Sequence, residues 1–281
     1  LRVGTFVLVT RNDDVREVLE RQDVFQAPYG LEMTEIAGGT NFILGMQDGP
    51  DYRRMKSHVL SAFPVDEVES VVRPLAARHA RAIMQRASPR FDAVADLLRI
   101  VPARICRDYF GVVIDDEASF SNWANALSGL FFADPGADPV VRELAVVAAD
   151  RMKRTLDRSI EKVREGTIPR STPLGRLVDL LDEKDPPIAL GDVHSIMLGM
   201  IAGFTPTNLL ASGNCLDVLL SNTEARQAVE EAIAAGDDAR LERAMLEAMR
   251  FKPIWIGPFR YAARDAVIAQ GFARPEVRDL Y

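Results

Sequence analysis

Apolar positions are densest over residues 196–222, where they recur on every side of a helical projection. A helix this apolar is buried along most of its length. Its middle is different: Ala202-Gly203 is followed by Thr205-Pro206-Thr207-Asn208. A small, polar, proline-bearing midpoint leaves room beside the helix for a cofactor or a substrate. Pro206 has no N–H to give the Ala202 carbonyl and its ring crowds that carbonyl, at about 3 kcal/mol in a helix interior. The helix is therefore expected to be permanently opened next to Ala202-Gly203.

The rest of the pattern is mostly helical. Residues 3–9 alternate weakly and predict a strand, and the polar run 10–14 caps a helix to about residue 22. Residues 23–45, with Pro28 and glycines at 30, 38, 39 and 45, predict a long functional loop. Gly49-Pro50 starts a helix to about Phe63. Helical spacing then covers 65–87, 93–110, 116–131, 138–165 and 173–184, with turn-rich breaks at 133–136, 166–169 and 185–187. The central helix spans about 192–221, followed by helices over 223–234 and 238–252. Residues 256–270 alternate and predict two short strands turning near Arg264-Asp265. The fold class is mainly α with a small β part, in one domain over 1–281.

Composition narrows the function classes. The chain has 281 residues, 48% hydrophobic, with net charge −7. That is enough for a sizeable core, and the absence of a basic block argues against a nucleic-acid partner. Two cysteines, Cys106 and Cys215, sit in apolar helical surroundings, as core residues of a reducing, cytoplasmic compartment do. His58, His79 and His194 lack metal-ligand spacing and read as ordinary helix-surface residues. The uncharged run 195–214 approaches spanning length, but its Thr, Asn, Ser and Pro favour a buried helix over a membrane span. The opening at Leu1 rather than Met leaves room for a leading segment.

Four pieces in order resemble the cytochrome P450 (haem-thiolate) superfamily, its soluble bacterial-type members especially. Residues 48–63, Asp-Gly-Pro-Asp-Tyr-Arg-Arg-Met-Lys-Ser-His-Val-Leu-Ser-Ala-Phe, are similar to the family's Asp-x-Pro-x-His-x-x-x-Arg helix. Residues 202–207, Ala-Gly-Phe-Thr-Pro-Thr, resemble its Ala-Gly-x-(Asp/Glu)-Thr segment. Glu247-Ala-Met-Arg250 matches Glu-x-x-Arg, and residues 258–265 resemble the strand carrying a propionate-binding arginine. The similarity runs to about Gly271. The Phe-x-x-Gly-x-x-x-Cys-x-Gly loop that carries the axial thiolate is not in the sequence, nor is the Pro-Ala-Gly turn expected after Gly271. The resemblance thus implies a domain lacking its start and its haem-ligand region.

The resemblance implies haem as cofactor, with Tyr52, Lys56, Ala202, Gly203 and Arg260 against it. Tyr52 and Lys56 replace the family's His and Arg, so a bidentate fork is lost; on residues alone they also read as a solvated helix face. Arg260 stands in an apolar stretch that asks for a partner, or on the open face of an edge strand. Glu247 and Arg250 are implied to form a buried structural network, although i, i+3 pairs are ordinarily exposed contacts. At the acid–alcohol positions that supply protons to iron-bound dioxygen the chain has Thr205 and Pro206. The catalytic candidates are Thr205 and Thr207, whose hydroxyls either face the opening or bond their own i−4 carbonyls. Leu198, Ile201, Ile254, Trp255 and Ile256 are the substrate-pocket candidates, with loop 27–45 closing the pocket. The implied activity is monooxygenation of a small apolar substrate, with a ferredoxin or reductase as redox partner. Two alternatives stand beside it: a peroxide-using or hydroperoxide-rearranging haem enzyme, and a haem-free binding or scaffold protein of the same fold.

Overall fold

The computed structural model describes residues 2–3, 6–133, 138–255 and 257–268. In chain order the elements are β1 (Arg2–Val3), β2 (Phe6–Val7), α1 (Asn12–Glu20), β3 (Phe25–Gln26), α2 (Gly30–Ala37), α3 (Pro50–Ala62), α4 (Arg73–Met84), α5 (Ile100–Asp108), α6 (Glu117–Ser128), α7 (Pro139–Arg164), α8 (Pro173–Leu181), α9 (Leu190–Ser221), α10 (Thr223–Ala235), α11 (Asp238–Phe251) and β4 (Tyr261–Ala262). π-helical turns at Val68–Val72, Ala93–Leu98 and Gly129–Ala133 lead into α4, lead into α5 and extend α6. They divide helical runs whose hydrophobic spacing is continuous.

Helix starts follow side-chain chemistry. Asp116, Asp138, Thr172, Asn222 and Asp237 each accept a first-turn N–H of the helix that follows. Pro50, Pro139 and Pro173 occupy first-turn positions, where a missing N–H costs nothing. The central helix begins two residues before the expected Asp192, because the Asp192 carboxylate accepts the Ala189 N–H at 2.8 Å.

That helix, α9, is the axis of the molecule and packs against α2, α5, α6, α7, α8, α10 and α11. It is long and apolar enough to cross a membrane, yet Val193, Ile196, Met197, Leu198, Ile201 and Ala202 are core residues. It continues unbroken through Pro206, so the expected permanent opening is not there. The missing Ala202–Pro206 bond is one among many in a 32-residue helix, and the buried proline ring is held by packing around it.

Four further expectations are corrected. Residues 3–9 are not one strand: β1 pairs antiparallel with β2, Arg2 opposite Val7. The 23–45 stretch is not a plain loop but holds β3, α2 and a 3₁₀ turn at Ile43–Gly45. The predicted 256–270 hairpin gives way to a long-range pair, β4 with β3, fastened by the Tyr261 hydroxyl on the Gln26 amide oxygen and by an Arg264–Asp23 ion pair; Ile256 and residues 269–281 lie outside the described residues. The histidines are not surface groups. His79 and His194 are buried against Asp108 and Asp157 at 2.8 and 2.7 Å, and His58 is half-buried.

Candidate functional site

One stripe of α9 carries Gly191, Ser195, Gly199 and Gly203 at four-residue spacing, hence on one face. Chain 40–42 lies along it. A Cβ on Gly191 would meet the Thr40 hydroxyl at 2.6 Å, and one on Gly199 would meet the Phe42 ring at 2.3 Å. At Gly203 the cover stops, and a Cβ there would meet nothing within 4 Å. The covering segment is itself braced: Asn41 Nδ2 donates to the Gly45 carbonyl at 3.0 Å, the Phe42 N–H donates to Asn41 Oδ1 at 2.8 Å, and Gly30 and Gly45 approach too closely for side chains. Glycine at 30, 45 and 199 is therefore required by contact, whereas at 203 it leaves space.

A second feature is aromatic. Tyr29, at the start of α2, meets Phe132 edge-on at 5.7 Å. Phe132, in the π-helical extension of α6, meets Trp255 at 4.8 Å, and Trp255 meets Phe259 at 6.2 Å. Burial pushes the Tyr29 phenol above its ordinary value, against the opposing pull of the Phe259 backbone and the Arg260 charge. Arg260 is half-buried and its Nη1 donates to the Phe259 carbonyl at 2.7 Å. The Trp255 indole Nε1 is buried with no hydrogen-bond partner among the described residues.

The other candidates divide. Trp255 and Arg260 come together with Tyr29. Ala202, Leu198 and Ile201 are closed into the core rather than exposed to an open space, because α9 is enclosed on that side. Ile254 is exposed, and Ile256 lies outside the described residues. Thr205 is fully buried, and its hydroxyl lies 3.5 Å from Cys106 Sγ on α5, so neither expected orientation occurs. Thr207 is half-buried. Tyr52 and Lys56 share a face of α3 as expected, the ammonium 5.6 Å from the centre of the tyrosine ring, with Lys56 exposed. The expected burial of Glu247 and Arg250 is not observed. Their side chains are 55% and 64% exposed and pair with each other through two 2.8 Å hydrogen bonds.

Phe132 was not among the expected site residues, and Tyr29 and Phe42 fall in the 27–45 stretch expected to close the pocket without having been singled out. Phe131-Phe132 before the 133–136 break is visible in sequence, but its partner Trp255 lies 123 positions on. A groove of about 340 Å³ lined by Asp157, Arg158, Ile160, Glu161, Arg164 and Leu190 is at the start of α9. At 1.5 Å per residue that is about 18 Å along the axis from Ala202, so it belongs to a different part of the surface.

Gly203 leaves a side-chain-free spot on α9, and Arg260 is a half-buried cation beside Tyr29. Neither cysteine offers an axial thiolate. Burial pushes the Cys106 thiol up to about 12, and Cys215 is also raised by burial and lies 3.8 Å from the Met245 carbonyl. Among the described residues no group of three or more His, Cys, Asp or Glu could hold a metal ion. Gly203 and Arg260 are thus of the kind that could line a haem, and neither cysteine is placed to ligate one.

No family model and no curated protein sequence matches the chain. Solved structures do. Cytochrome P450 CREJ in complex with (4-ethylphenyl) dihydrogen phosphate aligns with a TM-score of 0.73 at 18% identity, covering 94% of this chain and 67% of that one. Epothilone B-bound cytochrome P450epoK gives 0.73 at 18%, covering 92% and 65%. Ligand-free CYP164A2 of Mycobacterium smegmatis gives 0.72 at 20%, covering 93% and 65%. The chain has the cytochrome P450 fold. It spans 61% of the length of CalO2, another structure of this fold.

Proposed function

We propose that the chain is the larger, helix-rich part of a haem-thiolate oxidoreductase that oxidises a small apolar molecule in the cytoplasm, with electrons from a ferredoxin or reductase. The observation that carries this reading is the bare face at Gly203 beside the covered face at Gly199. The cytochrome P450 fold supports it, as does the binding of small organic molecules by the structural neighbours CREJ and P450epoK.

Gly203 and the half-buried Thr207 line the distal wall, Arg260 offers a cation to a propionate, and Tyr52 and Lys56 offer a phenol and an ammonium on one helix face. When bound, haem supplies the redox chemistry. The chain's part is to keep that wall free of side chains, to exclude water with the Tyr29–Phe132–Trp255 cluster, and to place the charge. Reconstitution with haem tests the reading. A Soret band, shifted by carbon monoxide after reduction, is expected from protein carrying the ligand region. Its absence from such protein rejects the proposal.

The peroxide-using variant has its own support. Thr205 spends its hydroxyl on Cys106 and Pro206 has none, so the two relay positions offer no hydroxyl for proton delivery. In that case Thr205→Val leaves peroxide-driven turnover unchanged, whereas Pro206→Thr raises the coupling of electrons to product. A large loss in Thr205→Val assigns the hydroxyl a catalytic role and removes this support.

A further inference from the structure

Buried indole N–H groups ordinarily find an acceptor, and one left without costs about 1–3 kcal/mol. Trp255 Nε1 is such a donor: buried, without a partner among the described residues, and set in a cluster of ring contacts in which the Tyr29 hydroxyl is likewise buried and unbonded. The ring that touches both Tyr29 and Trp255 is Phe132, at 5.7 and 4.8 Å. Phe132 is half-buried and belongs to a short π-helical turn rather than to the body of α6. A flat apolar ring thus sits between a phenol and an indole whose N–H has no partner among the described residues.

We propose that this seat selects the substrate: an aromatic ring takes the place held by Phe132, and an uncharged oxygen on that ring, a ketone or ester carbonyl, accepts the hydrogen bond from Trp255 Nε1. The inference rests on the reading of this face as the substrate side of a haem pocket, and it adds a chemical class to a substrate otherwise described only as small and apolar. A purely aliphatic substrate would fill the seat and leave the donor unmet. An aryl carbonyl satisfies both features. Trp255 is a specificity residue here and takes no part in bond making.

The chain has two tryptophans, Trp123 and Trp255, so ¹⁵N–¹H spectra contain two indole signals. The probes are 2-acetylnaphthalene and 2-ethylnaphthalene, which match in ring and size and differ in the carbonyl. With the acetyl probe the Trp255 indole proton is expected to move downfield, and binding by equilibrium dialysis to be about tenfold tighter than for the ethyl probe, as one net hydrogen bond gives. Trp255→Phe should make the two probes bind alike, and Phe132→Ala should tighten both by vacating the seat. Equal affinity of the two probes for the unaltered chain, an unmoved Trp255 signal, or unchanged binding in Phe132→Ala overturns the proposal. The measurements are made on protein carrying the ligand region, and the Soret band is recorded on the same samples. Haem uptake without probe discrimination sinks this inference and leaves the haem reading standing, and discrimination in protein that never takes up haem does the reverse.

Discussion

Gly199 and Gly203 are one helical turn apart and demand opposite things of a methyl group. At 199 it would strike the Phe42 ring, so Gly199→Ala is expected to destabilise by about 1–3 kcal/mol through overpacking. At 203 it meets nothing, so Gly203→Ala is expected to stabilise by about 1 kcal/mol from helix propensity alone, while weakening haem uptake. Urea denaturation of the two variants reads the contrast, and equal effects would mean that the stripe is not half covered. A second residue-level effect is pH. Burial holds His79 below its ordinary value of 6.5, against the pull of Asp108 and with the help of Arg78 and Arg104. Burial and Arg54 lower His58 likewise, with Asp192 opposing. The folded protein prefers neutral rings, while the unfolded chain takes up protons near 6.5. Their contribution to stability is full above that value and drains away as pH falls through it. The urea midpoint should therefore be lower at about pH 5.5 than at about 7.5, and substitution of both histidines by glutamine should flatten the difference. An unflattened profile would place the acid sensitivity elsewhere.

Two elements carry strain or bracing that can be weighed. In α9, Pro206→Ala restores a hydrogen bond and removes a clash, together about 3 kcal/mol, but deletes two buried methylenes at about 0.8 kcal/mol each. A net gain of about 1 kcal/mol is expected in denaturant, and a net loss would show that the helix had already relaxed around its proline. The second brace ties the chain after α3 to α5 and α8. Arg176 on α8 donates to both oxygens of Glu67 and to the Ala62 carbonyl at 2.8 Å, and the Tyr109 hydroxyl donates to Glu67 at 2.8 Å. The Arg176 hydrogen bonds hold the Glu67 carboxyl below its ordinary range despite partial burial. Glu67→Gln keeps the shape and loses the charge, so about 1–2 kcal/mol is expected, present above the ordinary glutamate range and lost as pH falls below it and the carboxylate protonates. The helices themselves were legible from spacing and caps, because those signals are local. The π-helical turns were not, since they interrupt backbone bonding without interrupting hydrophobic spacing. The β3–β4 pair was not legible either, because Phe25 and Ala262 are brought together by everything between them.

At the scale of the whole molecule, packing is uneven. The main core gathers around the first half of α9, while the cluster of α9, α10 and α11 centres on Cys215, Leu219 and Ala248. Near it Leu210, Leu246 and Phe251 are 51%, 56% and 68% exposed. Exposed apolar residues of this kind limit solubility more than stability. Leu246→Ser with Phe251→Ser is therefore expected to raise the concentration at which the chain aggregates while moving its melting temperature little; a large fall in melting temperature would mean these residues are covered in solution. The same unevenness explains Glu247 and Arg250, whose spacing is right and whose burial is not. Spacing is set by the sequence, whereas burial needs other chain packed over α11.

The sequence by itself determined the order of the helices, their caps, the apolar central helix and the motifs that resemble the cytochrome P450 superfamily, because each is fixed by neighbours a few positions away. Tertiary structure alone decided that Thr205 faces Cys106, that Phe42 covers Gly199 but not Gly203, and that Tyr29, Phe132 and Trp255 share one seat. Those facts depend on how helices distant in the chain come to lie side by side, and no local pattern encodes where a ring from one will stop along the face of another.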